Sequence, residues 1–391
     1  MQAQHTFPRT WKLFDRRGEQ SLLELDEWTK SGGLIAGIYC IYAPVELIRA
    51  AGAVPVGLCG KKQDPIAEAE KTLPASLCPL IKSSYGYAIT DSCPFFAASD
   101  FIVGETTCDG KKKMYEFLGR IKPVHLIHLP YTQKLGLDFW HAQLLGFLDF
   151  LQQRTGVHVT EHALHQEIAI NKDIRQTLYS IAQLWSANQN PLPGTKLLPV
   201  MESKGFVVDQ EKYLKDLHAL EDELRGLRSQ EDDKVYGPRK PRILLTGCPV
   251  GKGSDKVVHT IEELGGVVVA SENCSSLKPL SLAVVEQETD FLRALAASYL
   301  QLPCSCMTPN EQRFSLLSQL VADFDVQGIV DLTWTGCHTY NVESTRVEEY
   351  VTETLELPFI QVDTDYSTAD TGQLQTRLGA FLELVNEQIT V

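Results

Sequence analysis

Cysteine is the residue type in this chain with the clearest capacity for chemistry. Ten are present in 391 residues, at positions 40, 59, 78, 93, 108, 248, 274, 304, 306 and 337. That is too sparse for a disulfide scaffold and more than a large protein of a reducing compartment needs without a task for its thiols. Free cysteine also packs as a small hydrophobe, so the count alone does not decide. Cys40, Cys59, Cys248, Cys274 and Cys337 each stand at or just after the carboxyl end of an apolar run, where open α/β sheets build their sites. Cys78, Cys93, Cys108, Cys304 and Cys306 fall in the intervening loops or at helix starts. Thiolates bind thiophilic metals, which makes zinc and iron-sulfur the two candidates. The chain has no CxxC, and its one CxC pair, Cys304 and Cys306, has no second pair nearby. Any site must therefore be assembled from distant ligands by folding.

Helix amino termini favour a thiolate and stabilise an anionic group. CPLIKSS and CDGKKKMYEF begin helices in this way, with Lys82 and Lys111, Lys112 and Lys113 close behind; taken alone, the KKK run is more simply a solvated helix face. His338, beside Cys337, and Glu105, near Cys108, are the candidate proton donors, with an ordinary packed or surface histidine as the alternative for His338. Asp109 is expected to cap the helix that follows it. Asp363, Asp365 and Tyr366 end the last apolar run, where turn chemistry accounts for them as well as a site does. GCPVGKGSD at 247–255 has the flavour of a phosphate loop but fits neither GxxxxGK[ST] nor GxGxxG. No nucleophile elbow, HExxH or EF-hand loop occurs. A cysteine nucleophile would occupy one thiol and leave the others idle.

Apolar strands alternate with amphipathic helices through most of the chain: GLIAGIYC, AVPVGLC, FIVGET and KPVHLIHLP in the first part, RILLTGCPV, GVVVASENC, GIVDLTWTGC and LPFIQVDTDYS in the second. The alternation predicts parallel sheets covered on both faces. The fold class expected is α/β, with two flavodoxin- or Rossmann-like domains and a helical linker. The expected bounds are 1–157, 158–240 and 241–391. One crevice lined by thiols from both domains is the economical arrangement.

A formal charge of -14 argues against nucleic acid and anionic membranes as partners. No apolar run approaches bilayer length, and MQAQHTFPRTWKLFDRRGEQ lacks the apolar stretch of a signal peptide, so cytoplasm is the expected compartment.

The stretches GIYCIYAPVELIRAAGAVPVGLCG, LPASLCPLIKSSYG, VGETTCDGKKKMYE, RILLTGCPVG, ENCSSLKP, CSCMTPNEQR, GCHTYNVES and QVDTDYSTADTGQLQTRL together resemble the 2-hydroxyacyl-CoA dehydratase, or benzoyl-CoA reductase subunit, superfamily. Within it the chain is most similar to the double-cubane cluster proteins. The resemblance implies a cluster in a cleft between two domains and a partner ATPase, itself an iron-sulfur protein, that injects single electrons. Its cluster positions match Cys78, Cys108 and Cys337. A double cubane, [8Fe-9S], would need a second triad, read as Cys40, Cys274 and Cys306, with Cys304, Cys93 and Cys248 in reserve. The implied activity is reduction of a small molecule by a homodimer. The alternatives are a dehydratase subunit with one [4Fe-4S] cluster acting on a 2-hydroxyacyl-CoA, and a cluster- or zinc-binding protein that turns nothing over.

Overall fold

The computed structural model describes residues 7–58, 60–134, 136–187, 191–229, 239–282 and 290–390. Cys59, residues 230–238 of the expected linker and residues 283–289 lie outside these residues. The first sheet is formed by β1 (Leu34–Ile38), β2 (Ala53–Gly57), β3 (Phe101–Glu105) and β4 (Val124–Ile127), in the order β2-β1-β3-β4. The second repeats the winding with β5 (Arg242–Gly247), β6 (Val267–Glu272), β7 (Gly328–Trp334) and β8 (Phe359–Thr364), in the order β6-β5-β7-β8. Every strand pair is parallel. Every residue of β3, β6 and β7 is buried, as expected of parallel strands sandwiched between helices. The mixed α/β class with two parallel sheets is thus as expected.

Each sheet starts at an inner strand, steps to one edge, then crosses to the other side. The reversal falls between β1 and β3 in the first sheet and between β5 and β7 in the second. At such a reversal the two connections leave in opposite directions and open a crevice beyond the carboxyl ends of the strands. Cys40 and Cys108 follow β1 and β3; Cys248 and Cys337 follow β5 and β7.

The helices Glu161–Ser186, Gly194–Ser203 and Gln210–Ser229 form the region between the sheets in sequence. Leu178, Ile181, Trp185, Tyr213 and Leu217 of that region share one buried cluster with Val267, Val269 and Ile329 of the second sheet. A second cluster joins Ile35 and Val56 of the first sheet to Leu245 and Val330 of the second.

Helix Phe291–Tyr299 departs from the sequential order. It lies in the second half of the sequence yet packs Leu292, Leu295 and Tyr299 with Ala36, Val103 and Trp140 of the first. Tyr42 Oη donates to Leu302 O at 3.0 Å, fixing the end of the crossing segment. Two helices not expected from the sequence, Trp11–Asp15 and Arg17–Lys30, precede β1. Among the described residues no helix is long and apolar enough to cross a membrane.

Candidate functional site

Three of the cysteines hold the N-cap position of a helix that starts at the sheet ends: Cys78 before Pro79–Ile89, Cys108 before Asp109–Leu118 and Cys337 before His338–Glu353. None of these thiols forms a regular cap hydrogen bond. The backbone N-H groups of Leu80 and Ile81, of Lys111 and of Tyr340 nevertheless favour the respective thiolates.

The thiols meet in two groups. In the first, Cys78 and Cys248 both hydrogen-bond to Cys337. Those two bonds hold the Cys337 thiol well below its ordinary range, while the same bond to Cys337 raises Cys78 and burial above all raises Cys248. In the second, the bond between Cys304 and Cys306 draws Cys304 down to about 7, with the Lys278 ammonium assisting, and pushes Cys306 up. Cys40 feels the charge of Cys274 and of Cys304, and Tyr340 feels those same two thiols. Cys108 lies between the groups and senses both Cys337 and Cys304, although burial is what mainly raises it. The Ser305 hydroxyl donates to Thr339 Oγ1 at 3.2 Å, and Thr339 Oγ1 lies 3.9 Å from Cys337 Sγ, so the two groups are joined by hydroxyls. Cys248 and Cys304, held in reserve by the sequence reading, are therefore in contact with residues of the two expected triads. Cys93 instead caps Pro94–Ala98, its sulfur accepting from Phe96 N at 3.4 Å.

Buried cations, each with its own partner, stand close by. Lys111 is buried and its Nζ donates to Tyr39 O at 2.8 Å, so this member of the KKK run is not on a solvated face. Lys113 does lie exposed and pairs with Glu116 at 2.7 Å. Lys82, by contrast, turns to Glu70 and to Ala75 O, each at 2.7 Å. Lys278 is completely buried, 2.9 Å from Glu272, and donates to Tyr340 Oη at 2.8 Å. Arg313, equally buried, contacts Glu272 and Asp331 at 3.4 Å each and Glu343 at 2.6 Å. This network sits at the end of β6 and within β7, and its Lys278 interacts electrostatically with Cys274 and Cys304. The sequence reading missed Lys278 and Arg313; a lysine four residues after Cys274 in ENCSSLKP is the one signal that pointed there.

Glu105, at the end of β3, is fully buried and its carboxyl is raised to about 7 by that burial, partly offset by Lys111. Tyr115 Oη donates to its Oε2 at 3.3 Å, while Oε1 has no partner among the described residues. His338 is exposed on the first turn of its helix. Asp109 does not cap its helix: it is the first helical residue, Cys108 occupies the cap, and Asp109 pairs with Lys112 at 2.7 Å. Asp365 accepts from Ser367 N at 2.7 Å in a turn, and Tyr366 Oη reaches Gly60 O at 3.2 Å.

Cys40 and Cys274 line a cavity of about 230 Å³, together with Arg49, Lys61, Arg175 and Lys204. Lys204 donates to Met201 O and Ser275 O at 2.7 Å each, and burial with Lys61 nearby lowers it to about 7. The Gly251 to Ser254 loop, the one with a phosphate-loop flavour, already holds an anion: Glu202 Oε2 accepts from Lys252 N at 2.9 Å, and Lys61 pairs with the same carboxylate.

A family model described as 2-hydroxyglutaryl-CoA dehydratase, D-component, matches residues 40–385. The chain belongs to this family. All ten cysteines of this dehydratase-family protein lie within the matched span, and the expectation of a 2-hydroxyacyl-CoA dehydratase-like enzyme is met at that level. It is 42% identical over 97% of its length, and 98% of the relative's, to a protein of Escherichia coli (strain K12) named "Putative dehydratase subunit YjiM". It is 21% identical to the (R)-phenyllactyl-CoA dehydratase beta subunit of Clostridium sporogenes, over 90% of this chain and 92% of that one. The (R)-2-hydroxyglutaryl-CoA dehydratase beta subunit of Acidaminococcus fermentans is 19% identical, over 92% and 94%.

The donor set of the dehydratase-family chain suits an iron-sulfur cluster in kind: converging thiols, helix amino termini and buried cations that balance negative charge. Among the described residues no group of three or more His, Cys, Asp or Glu side chains stands as a formed metal site. The thiols hydrogen-bond to one another instead.

Proposed function

We propose that this chain is a low-potential iron-sulfur reductase of the double-cubane type, which takes electrons from an ATP-dependent iron-sulfur activator and reduces a small molecule. The observation that carries the reading is the number of gathered thiols. Of the nine described cysteines all but Cys93 belong to the two contacting groups or lie between them, more than the four ligands of a single cubane. Cys78, Cys108 and Cys337 would hold one half and Cys40, Cys274 and Cys306 the other, with Cys248 and Cys304 as the alternates beside them. Bound there, such a cluster supplies one-electron chemistry at low potential.

The chain's own residues then have separable tasks. Lys111 and Lys278 offset the thiolate charge from within the core. Glu105, raised to about 7, holds a proton near neutrality and is a suitable donor to a reduced substrate. His338, exposed on its helix beside Cys337, is the second candidate donor. The bounds 1–157, 158–240 and 241–391, a homodimer and a cytoplasmic location belong to the same reading.

A second reading, a 2-hydroxyacyl-CoA dehydratase subunit with one [4Fe-4S] cluster, is favoured by the names of the relatives. Iron and acid-labile sulfide per chain, measured with zinc on protein purified without oxygen, separate the two. About eight irons per chain support the double cubane, and about four with an unlike copurifying subunit support the dehydratase. Zinc, or no metal, retires both cluster readings.

A further inference from the structure

The segment that carries Cys304 and Cys306 belongs to the second half of the sequence, yet both its ends are tied to the first half by tyrosines. At its start Tyr42 Oη donates to Leu302 O at 3.0 Å. At its end Thr308 N donates to Tyr131 O at 2.9 Å. Between these ties the chain turns tightly, with Cys304 N bonded to Leu302 O and Met307 N to Cys304 O, each at 2.9 Å. The position of the thiol pair is therefore set from the first half.

Tyr131 also grips the surroundings of Cys108. It follows β4, and its Oη donates at 2.6 Å to the carbonyl of Thr106, just ahead of that cysteine. Its ring faces Lys112, whose Nζ lies 5.8 Å from the centroid and hydrogen-bonds to the phenol. Lys112 stands on the helix that Cys108 caps and pairs with Asp109 at 2.7 Å. One residue thus fastens the chain on both sides of Cys108 and the chain just beyond Cys306. Cys306 in turn feels the charge of Cys108, so the two thiols stand near each other across the gap between the groups. Of the four described non-glycine residues with positive φ, Tyr131 is the one aromatic, at 56°. A bulky side chain in the left-handed region is costly and persists where the surroundings hold it, most often at functional sites. The ring is 40% exposed, so core burial does not explain it.

We infer that Tyr131 is a positioning residue, which braces the Cys108 loop against the turn bearing Cys304 and Cys306 and so fixes the spacing of the two thiol groups. The inference rests on the proposed double-cubane reading for its purpose and deepens it by naming what holds the two halves at a set distance.

The test uses full-length protein in wild type, Y131F and Y131G, with circular dichroism as the check on folding. Phenylalanine keeps the ring and loses the bond to Thr106; glycine removes brace and strain together. In metal-free protein, dibromobimane joins neighbouring thiols and mass spectrometry follows the linked peptides. A product linking Cys108 to Cys306 is expected in wild type and forms at least tenfold more slowly in both variants. The product linking Cys304 to Cys306, internal to the turn, keeps its rate. In anaerobically purified protein both variants are expected to release iron to a chelator at least tenfold faster than wild type, and Y131G to melt no lower than Y131F. The inference is overturned by absence of the Cys108 to Cys306 product in wild type, by an unchanged rate in both variants, or by a parallel loss of the Cys304 to Cys306 product. Melting of Y131G below Y131F also overturns it, since the ring would then be kept for packing. Absence of iron from wild type retires the cluster reading while the cross-linking still decides the brace; full iron released at the wild-type rate by both variants retires the brace alone.

Discussion

At Cys337 two thiol hydrogens converge on one sulfur, and its thiolate is correspondingly stabilised. In metal-free protein at pH 7, Cys337 is therefore expected to react with iodoacetamide well before Cys78 and Cys248, and C248A to slow that reaction; peptide mapping against time reads both. Half-buried His125 and fully buried Glu105 set opposite limbs of the stability profile. His125, packed on Phe150 with ring centroids 4.4 Å apart, is lowered from 6.5 to about 4 by burial. The unfolded chain binds the proton more readily, so its contribution is complete above about 6.5 and lost as pH falls towards 4. Glu105 is raised from 4.5 to about 7, so its contribution is complete below 4.5 and lost as pH rises through 7. Melting temperatures across pH 4 to 8 should show H125L flattening the acid limb and E105Q the neutral one. Of these residues the sequence made the cysteines and Glu105 legible, because thiols and a carboxylate at strand ends are conspicuous. Lys111 was hidden in its run of three: side chains on successive helical positions point some 100° apart, and sequence alone did not settle which one turned inward.

Between residues and molecule, the elements do the positioning. The winding order places Cys40, Cys108, Cys248 and Cys337 beside the two reversals, β1/β3 and β5/β7. That was readable in outline, since buried parallel strands write themselves as continuous apolar runs. The charged network under β6 and β7 was not, because Glu272, Asp331 and Arg313 sit within otherwise apolar or amphipathic stretches and find each other only in the folded chain. R313M should cost about 3–5 kcal/mol in urea unfolding, since it leaves Glu272 and Asp331 buried beside a single remaining cation. The unexpected placement of Phe291–Tyr299 is of the same kind: amphipathic periodicity shows that a helix has an apolar face and is silent about which sheet receives it.

For the molecule as a whole, the two sheets share one buried cluster, and the helix from the second half covers the first. Denaturant unfolding followed by tryptophan fluorescence and by far-ultraviolet circular dichroism should accordingly give coincident single transitions; separated transitions would mean the halves fold independently. The two-sheet architecture was legible from strand and helix alternation, whereas the interlock was not, since it depends on contacts such as Tyr299 to Glu46 across 253 positions. The glycine loop after β5 bears on how the molecule is powered. Its backbone is already neutralised by the chain's own Glu202 carboxylate, and a Cβ at Gly251 would lie 1.9 Å from that group. A nucleotide phosphate arriving there would have to displace a tethered competitor of like charge. The fold has thus sealed its most phosphate-like turn from within, and on the proposed reading any fuel is burned on another polypeptide, with this one receiving only the current.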